Sequence, residues 1–332
     1  MASASSAASA SVQKGSTART GPKISSRATR MWALDAFDEL VSGGVEARVE
    51  PADPFLAGFR TTEEREPLFA ELRGIEAAGQ EVMYSVLTGE EVRAAEPSLS
   101  PAVGSAVRIH GQRCLNPPRF TAALAAAVRS RGGDSIEAAA VRDVQDIAEG
   151  ALVETADGEK RRFDAVVLAT GAWLGQLARR FGVRRVVQAG RGYSFSVTCD
   201  PMPQGPVYFP IQRVACTPLT TPAGRRLRVA GMMEFRAPDA ALDMRRITAI
   251  VDAARPLLRR AGVDDRQDEW VGSRPCTTDG LPLIGATTSS RVFVAGGHGM
   301  WGMALGPVTG QLLAERIVTG AAPAELVPFD PL

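Results

Sequence analysis

The chain has 332 residues, enough to bury a sizeable core and to form two closely connected domains. It carries 38 lysines and arginines against 37 aspartates and glutamates, a formal net charge of +1 at pH 7. This balance argues against a nucleic-acid partner or an anionic membrane surface. No apolar run reaches the roughly 18 residues of a membrane span, and no signal-peptide core is present. A small metabolite is therefore the expected partner.

The cysteines and histidines are too few and too scattered for a metal site or a redox pair. The cysteines are Cys114, Cys199, Cys216 and Cys276, and the histidines are His110 and His298. No C-x-x-C motif occurs, and two histidines make a histidine-dependent triad a poor explanation. The thiols are typical of a reduced, cytoplasmic protein, which is the location we expect. No metal is predicted.

The first thirty residues differ in composition from the rest. Residues 1–30 are rich in serine and alanine, carry only basic charges, and precede the first acid, Asp35. Such a segment cannot bury enough apolar surface to offset its ordering entropy, so we predict a disordered tail. The acid-poor composition also fits a transit peptide, although no clear amphipathic period is visible, and that alternative stays open.

Helical patterns alternate with one short strand between residues 31 and 133. A first helix is predicted over 31–40 and is ended by the glycines at 43 and 44, and a second is predicted over 63–78. A third helix is predicted to begin with a cap at Thr88. A fourth follows Pro117 and ends at the glycines 132 and 133. A strand is predicted at 81–87.

Strands dominate the next hundred residues. The predicted ones are 136–141, 144–148, 152–155 and 165–170, followed by a helix to residue 181, and then 193–197, 207–210, 214–219 and 226–234, followed by a helix over 244–261. The apolar run at 165–170 is typical of a central parallel strand covered on both faces. The second group is expected to form a separate antiparallel sheet.

Three segments are candidates for chemistry. The first, 166–173, runs from a strand through a small-residue turn into a helix, which alone is any strand-to-helix junction. The second, 270–285, contains a lone arginine, Arg274, in an otherwise apolar stretch. Arg274 is either a surface ion pair, which is worth little, or a bidentate clamp for a carboxylate.

The third segment is a glycine cluster between a strand and a helix. Residues 297–302 spell G-x-G-x-x-G after an apolar strand at 292–295, an arrangement that turns backbone N–H groups toward an anionic or electron-rich ligand. A dinucleotide fingerprint would also need a second strand and an acidic residue about 20 positions on. The helix here ends at Gly320 and the printed sequence at Leu332, so the cluster is not expected to bind a pyrophosphate.

Taken in order, these motifs resemble those of a known flavoenzyme family. The segments are NPPRFTAAL (116–124), ATGAW (169–173), RGYS (191–194), GMMEF (231–235), RPCTTDGLPLIG (274–285) and GGHGMWGMALGPVTGQLLAE (296–315). They are similar to the FAD-dependent D-amino-acid oxidase/dehydrogenase superfamily, in particular to the small-subunit type of bacterial D-amino-acid dehydrogenase. The likeness covers about residues 31–330.

The resemblance implies a fold and a division into domains. The fold class is mixed α/β, with a Rossmann-like FAD-binding domain that is incomplete at its N-terminus and an antiparallel-sheet substrate domain. The expected division assigns 1–30 to the tail, 31–45, 100–182 and 270–332 to the FAD-binding domain, and 46–99 and 183–269 to the substrate domain.

The resemblance also implies a reaction, the oxidative deamination of a D-amino acid with FAD. A hydride passes from the substrate Cα to flavin N5, and the acceptor that reoxidises the flavin is O₂ or a quinone. The dehydrogenase type is expected, and peripheral attachment to the inner membrane through that acceptor stays open. The alternatives are a remnant that no longer binds FAD and an oxidase of sarcosine- or proline-like secondary amines. The oligomeric state is not indicated.

Site residues carry over from the family by position. Arg274 would bind the substrate carboxylate. Tyr193 would line the substrate side and His298 would be a neighbour of the flavin, although a sheet tyrosine and a packed loop histidine are equal alternatives. Cys276 would be a buried thiol, or less simply a covalent flavin attachment. The cofactor-binding residues would be Val141, Thr170, Gly171, Ala172, Trp173, Gly297, Gly299, Met300, Trp301, Gly302 and Met303. The loop from Gly299 would stabilise negative charge on the reduced flavin.

The printed sequence departs from the family in one respect that can be tested. Members begin with a strand–helix–strand unit that carries the pyrophosphate-binding glycines, and no such pattern precedes Trp32. A lost N-terminal segment, a degenerate homologue or a completing partner chain would each explain this.

We therefore expect the polypeptide of this sequence to purify with little bound flavin, because no pyrophosphate-binding loop is predicted in it. The ratio of flavin absorbance to protein absorbance after purification measures this. A yellow protein with one flavin per chain would contradict the expectation.

Overall fold

The computed structural model describes residues 27–47, 49–221 and 224–332. Most of the predicted tail at 1–30 lies outside these ranges. Within them the first helix begins at Arg27, so residues 27–30 are helical and the tail prediction is too long at that end. The helices are α1 Arg27–Ser42, α2 Glu66–Ala77, α3 Gly89–Ala95, α4 Pro117–Ser130, α5 Leu174–Ala178, α6 Met244–Ala254 and α7 Gly302–Thr319.

The strands of the described ranges fall in four sheets. They are β1 Val49–Pro51, β2 Leu56–Phe59, β3 Tyr84–Thr88, β4 Ser105–Ile109, β5 Arg113–Leu115, β6 Val141–Ile147, β7 Gly150–Thr155, β8 Lys160–Phe163, β9 Val166–Leu168, β10 Val187–Val197, β11 Val207–Phe209, β12 Val214–Thr221, β13 Gly224–Phe235, β14 Gln267–Thr277, β15 Leu283–Ala286 and β16 Val292–Gly296.

The largest sheet has eight strands in the order β14-β10-β13-β12-β11-β2-β4-β3. Its pairs are antiparallel except for β11 with β2. One face carries the main core, where Phe195, Leu227 and Val229 are fully buried against Ile247 and Ile250 of α6. The separate antiparallel sheet predicted from the sequence is therefore present, and it is larger than expected.

The second structural centre is the three-stranded sheet β15-β16-β9. β16 pairs with β9 in parallel and with β15 in antiparallel orientation. α7 packs against this sheet and against α1, with Leu305, Val308 and Leu312 in a cluster that includes Ala36 of α1 and Phe293 of β16. β6, β7 and β8 form a small antiparallel meander, and β1 pairs with β5.

Several predicted element ends are confirmed by their caps. Thr88 accepts a hydrogen bond from the Glu91 backbone, and the Glu91 side chain accepts one from the Thr88 backbone, which completes a capping box at the start of α3. α7 ends at Thr319 and is capped by Gly320, whose φ of +73° is the left-handed conformation that glycine adopts readily.

Three strand predictions between residues 136 and 170 are wrong in detail. The predicted strands 136–141 and 144–148 are one strand, β6, and residues 136–140 lie outside it with Ile136 exposed. The predicted central strand is the three-residue β9, which within the described ranges is an edge strand with Val167 40% exposed. An apolar run in the sequence indicates that a strand is buried. It does not indicate how many strands pair with it, because strand pairing depends on residues that are distant in the sequence.

Two further elements differ from the prediction for a local reason. The helix predicted over 244–261 ends at Ala254, since Pro256 lacks the N–H that would continue it. β14 was not predicted, because Gly272 and Pro275 interrupt its pattern.

The strand pairing also bears on the predicted domains. β4 and β14 fall largely in ranges assigned to the FAD-binding part, yet both pair within the eight-stranded sheet. The division itself stays a prediction. Among the residues described, no helix combines the length and the apolar character that a membrane span requires.

A substitution at Ile250 tests the packing of the main core. Its side chain is buried between α6 and the eight-stranded sheet, so Ile250→Ala should lower the free energy of unfolding by about 2–5 kcal/mol through lost burial and a residual cavity. Urea unfolding followed by circular dichroism measures the change. Thr248→Ala, on the exposed face of the same helix, should shift it by less than about 0.5 kcal/mol. Equal shifts in both variants would contradict the described packing.

Candidate active site

Two turns and a strand meet at one edge of the β15-β16-β9 sheet. β9 and β16 run parallel, and each leads through a 3₁₀ turn into a helix, Gly171–Trp173 before α5 and Gly299–Trp301 before α7. Parallel strands end at the same edge, where α/β folds bind ligands. Both turns pack against β14, the strand that carries Arg274. The structure thus brings together the three segments that the sequence singled out.

Glycines shape both turns. Gly297 has a φ of +75°, and a Cβ there would fall 2.8 Å from Thr277 Cγ2, so glycine lets this loop pack closely on β14. A Cβ on Gly171 would meet nothing within 4 Å, and one on Gly299 would meet only Cys276 Sγ at 4.0 Å. The backbone of the two turns is therefore open on the side where a ligand could lie.

The start of α7 lies at the second of these turns. The helix begins at Gly302 without a side-chain cap, and the 3₁₀ turn before it also lacks one. The first N–H groups of a helix have no partner within it and form the positive end of its dipole. Together with the open turn at Gly299, they suit an anionic or electron-rich group.

Arg274 lies flat on the sheet next to these turns. It stands opposite Gly190 of β10, and its guanidinium covers Gly192, where a Cβ would fall 1.9 Å from Nη1. Nη1 is buried and has no hydrogen-bond partner, and no carboxylate of the described chain faces it. Burial lowers the pKa of the Arg274 guanidinium. A surface ion pair, the alternative left open above, is therefore not what the structure has.

His298 lies in the glycine loop, and its side chain contacts α7. Its backbone bridges to Cys276, and its Nε2 is 3.0 Å from Thr309 Oγ1 of α7. His298 is 9% exposed, and this burial lowers its pKa to about 4. The imidazole is therefore neutral at ordinary pH and ties the loop to the helix that follows it.

Tyr193 is on the other face of β10 from Arg274. Side chains alternate along a strand, and the Tyr193 hydroxyl donates to Glu234 Oε1 beneath α6, where Arg246 Nε donates to Glu234 Oε2 at 3.1 Å. Burial raises the pKa of Tyr193. The structure does not bring Tyr193 to Arg274.

The predicted cofactor-binding residues divide in a similar way. Thr170 begins the first turn, and its Oγ1 is buried without a hydrogen-bond partner, while Trp173 and Trp301 are 43% and 38% exposed at the two turns. Met303 packs in the cluster between α1 and α4. Val141 lies in the β6-β7-β8 sheet, paired with Thr155, and is not among the residues that meet at β14.

Two side chains that the sequence did not indicate share the face of Arg274. The Trp270 indole covers Gly272, where a Cβ would fall 1.8 Å from Cη2, and Met233 Sδ lies 3.4 Å from the Cβ position of Gly190. Trp270 and Arg274 are four residues apart, which places both on one face of a strand. The sequence did not indicate this shared face, because Gly272 and Pro275 interrupt the strand pattern of the segment.

Comparisons with known proteins agree with this architecture. The family model of the DAO FAD-dependent oxidoreductases matches residues 1–316. The chain is similar to a D-amino acid dehydrogenase of Methylobacterium radiotolerans, with 32% identity over 273 residues that make up 80% of this chain and 63% of the relative. The chain thus spans less than two thirds of the length of this curated relative.

Solved structures give the same result. The glycine oxidase of Geobacillus kaustophilus superposes with a TM-score of 0.78 and 26% identity over 94% of this chain and 84% of that one. An iminodiacetate oxidase of Chelativorans shares the fold, with a TM-score of 0.74 and 20% identity over 92% and 82% of the two chains. The mixed α/β fold predicted from the sequence is confirmed, and the chain belongs to the DAO family of FAD-dependent oxidoreductases.

Proposed function

We propose that this chain oxidises the amine-bearing carbon of an amino acid, with FAD as the hydride acceptor and a D-amino acid as the substrate. One observation carries the proposal, namely the half-buried Arg274 side chain, whose Nη1 is buried and unpartnered, beside two open glycine turns. The named activities of the relatives support an amino acid as substrate. The D-configuration and the dehydrogenase type follow the curated relatives alone.

The residues at the two turns fit the flavin part of FAD. Thr170 Oγ1 is a buried polar atom without a partner, and the backbone at Gly171 and Gly299 is open to a flat ligand. The residues of the two turns, with the start of α7, would hold the flavin, and the helix dipole would favour negative charge on it. Bound FAD would supply the redox chemistry by accepting a hydride from the substrate.

Arg274 would bind and orient the substrate carboxylate. A planar guanidinium offers parallel N–H donors that match the two carboxylate oxygens, and a dry setting strengthens the pair. Because Arg274 is held flat against β10, a carboxylate bound there would have a fixed position relative to the turns that would hold the flavin.

The described site offers no group with an ordinary proton-transfer role near neutral pH. His298 is held neutral and bonded to Thr309, and Tyr193 lies on the opposite face of β10. The amine would therefore bind in its neutral form and need no protein base. The electron acceptor, O₂ or a quinone, and the cytoplasmic location stay predictions.

Arg274→Ala tests the carboxylate role. With FAD in excess and an artificial electron-accepting dye, the variant should lose roughly a hundredfold or more in kcat/KM for D-amino acids, since a charged partner in a dry site is removed. Arg274→Lys should recover only part of this, because an ammonium cannot pair with both oxygens.

The matched control is Arg73→Ala, which removes an exposed arginine of α2. It should leave kcat/KM within twofold of the parent, as a surface change far from such features usually does. Full activity in Arg274→Ala would contradict the role assigned to this residue. A panel that includes sarcosine and proline separates primary from secondary amines.

The structural role proposed for His298 has a pH signature. Its folded pKa of about 4 lies below the ordinary value of 6.5, so the unfolded chain binds the proton first. The stability from this residue is complete above about pH 6.5 and is lost as the pH falls toward 4, by about 3 kcal/mol. Urea unfolding of the parent and of His298→Gln between pH 4 and 7 measures it.

The dependence should be weaker by that amount in His298→Gln. Parallel curves for the parent and His298→Gln would show that His298 is not held neutral by burial.

A further inference from the structure

The side chains of Arg274 and Trp270 both lie on a floor of glycine. Gly192 of β10 and Gly272 of β14 are direct cross-strand partners. A Cβ on Gly192 would fall within 2.4 Å of Nη1, Nη2 and Cζ of Arg274. One on Gly272 would fall within 2.6 Å of three atoms of the Trp270 indole. The two planar groups thus occupy the volumes where paired side chains would stand.

The guanidinium and the indole are consequently neighbours. Cβ positions of paired residues in antiparallel strands are about 5 Å apart, and each planar group covers one of the two positions. A fixed cation with a free Nη1 therefore borders an aromatic surface that is only half-buried. Cys276 Sγ and Met233 Sδ lie 2.6 and 3.4 Å from the Cβ position of Gly190, the cross-strand partner of Arg274, and add apolar surface to this face.

Glycine at both positions is unfavourable for the sheet itself. It weakens a strand interior because it loses more backbone entropy on folding and packs no side chain. Neither Gly192 nor Gly272 has a positive φ, so backbone conformation does not require glycine there. Each of the two glycines has a planar side chain directly over it, Arg274 over Gly192 and Trp270 over Gly272. The glycine pair therefore has a role in placing these two side chains.

We propose that the Gly192–Gly272 pair is a positioning element and that Trp270 is a specificity-determining residue, so that the site selects a carboxylate with an apolar substituent beside it. The substrate class is then amino acids with apolar side chains. The inference rests on the proposed function, because it takes Arg274 as the carboxylate-binding residue and adds what holds it and what lies next to it.

Two carboxylates without an amine test the proposal independently of turnover. Acetate carries the carboxylate alone, and 4-methylpentanoate adds the side chain of leucine. Isothermal titration of the full chain with FAD in excess should show 4-methylpentanoate binding roughly tenfold more tightly than acetate, since burial of an aliphatic group is worth that much. Failure of either compound to bind would overturn the proposal.

Gly192→Ala should weaken the binding of both compounds roughly tenfold or more, because it displaces the guanidinium that pairs with the carboxylate. Trp270→Ala should weaken 4-methylpentanoate by a similar factor and acetate by less than twofold, and Trp270→Phe should restore most of the preference. Gly74→Ala, in α2 where a Cβ meets nothing within 4 Å, is the matched control and should change neither affinity.

A double-mutant cycle separates positioning from a general structural effect. In the Arg274→Ala background, Gly192→Ala should cause no further loss of 4-methylpentanoate affinity, because it acts only through Arg274. A further tenfold loss there, or unchanged acetate affinity in Gly192→Ala alone, would overturn the proposal.

Failure of the proposed function would look different. If Arg274→Ala abolishes the oxidation of D-amino acids while Gly192→Ala and Trp270→Ala bind both carboxylates as the parent does, only the present inference falls. If no amino acid is oxidised by the parent, the proposed function falls instead.

Discussion

The half-buried side chain of Arg274, whose buried Nη1 has no carboxylate partner in the described chain, is the constraint on which the site depends. An unpaired charge is costly to bury, and an arginine cannot lose its proton at ordinary pH to avoid the cost. The β10–β14 pairing holds the backbone beneath it in place, and the glycine at position 192 leaves it room. An anion that paired with Nη1 would relieve the cost, which is why a carboxylate is the ligand that this geometry favours.

The two faces of β10 differ in what they carry: one face carries a buried polar network, and the other lies beneath Arg274. Behind the strand, Tyr193 and Glu234 form a buried polar network with Arg191, whose Nη2 donates to the Ala240 carbonyl at 2.5 Å, and α6 closes the core over them. In front, glycine leaves the sheet bare beneath Arg274. The packed network on one face of β10 holds the strand in place, and the glycine on the other face leaves room for the guanidinium. The guanidinium therefore has a fixed position with no neighbouring side chain in the same volume.

Features that depend on adjacent residues could be predicted from the sequence, and the pairing of strands could not. The capping box at Thr88, the glycine end of α7 and the loop at 297–302 each depend on a few adjacent residues. The edge position of β9 depends on distant partners, and β14 escaped prediction because glycine and proline break its pattern. The role predicted for Arg274 stays a prediction, whereas the face that Tyr193 occupies follows only from the strand register, which the sequence does not provide.

The central claim is that Arg274 receives a carboxylate beside the two glycine turns. A crystal structure of the full chain, prepared with FAD and 4-methylpentanoate, tests it most directly. The account predicts a carboxylate oxygen within hydrogen-bond distance of Arg274 Nη1, with the aliphatic chain against the Trp270 indole. A carboxylate bound elsewhere, or an Arg274 side chain paired with an acidic residue of the chain itself, would contradict it.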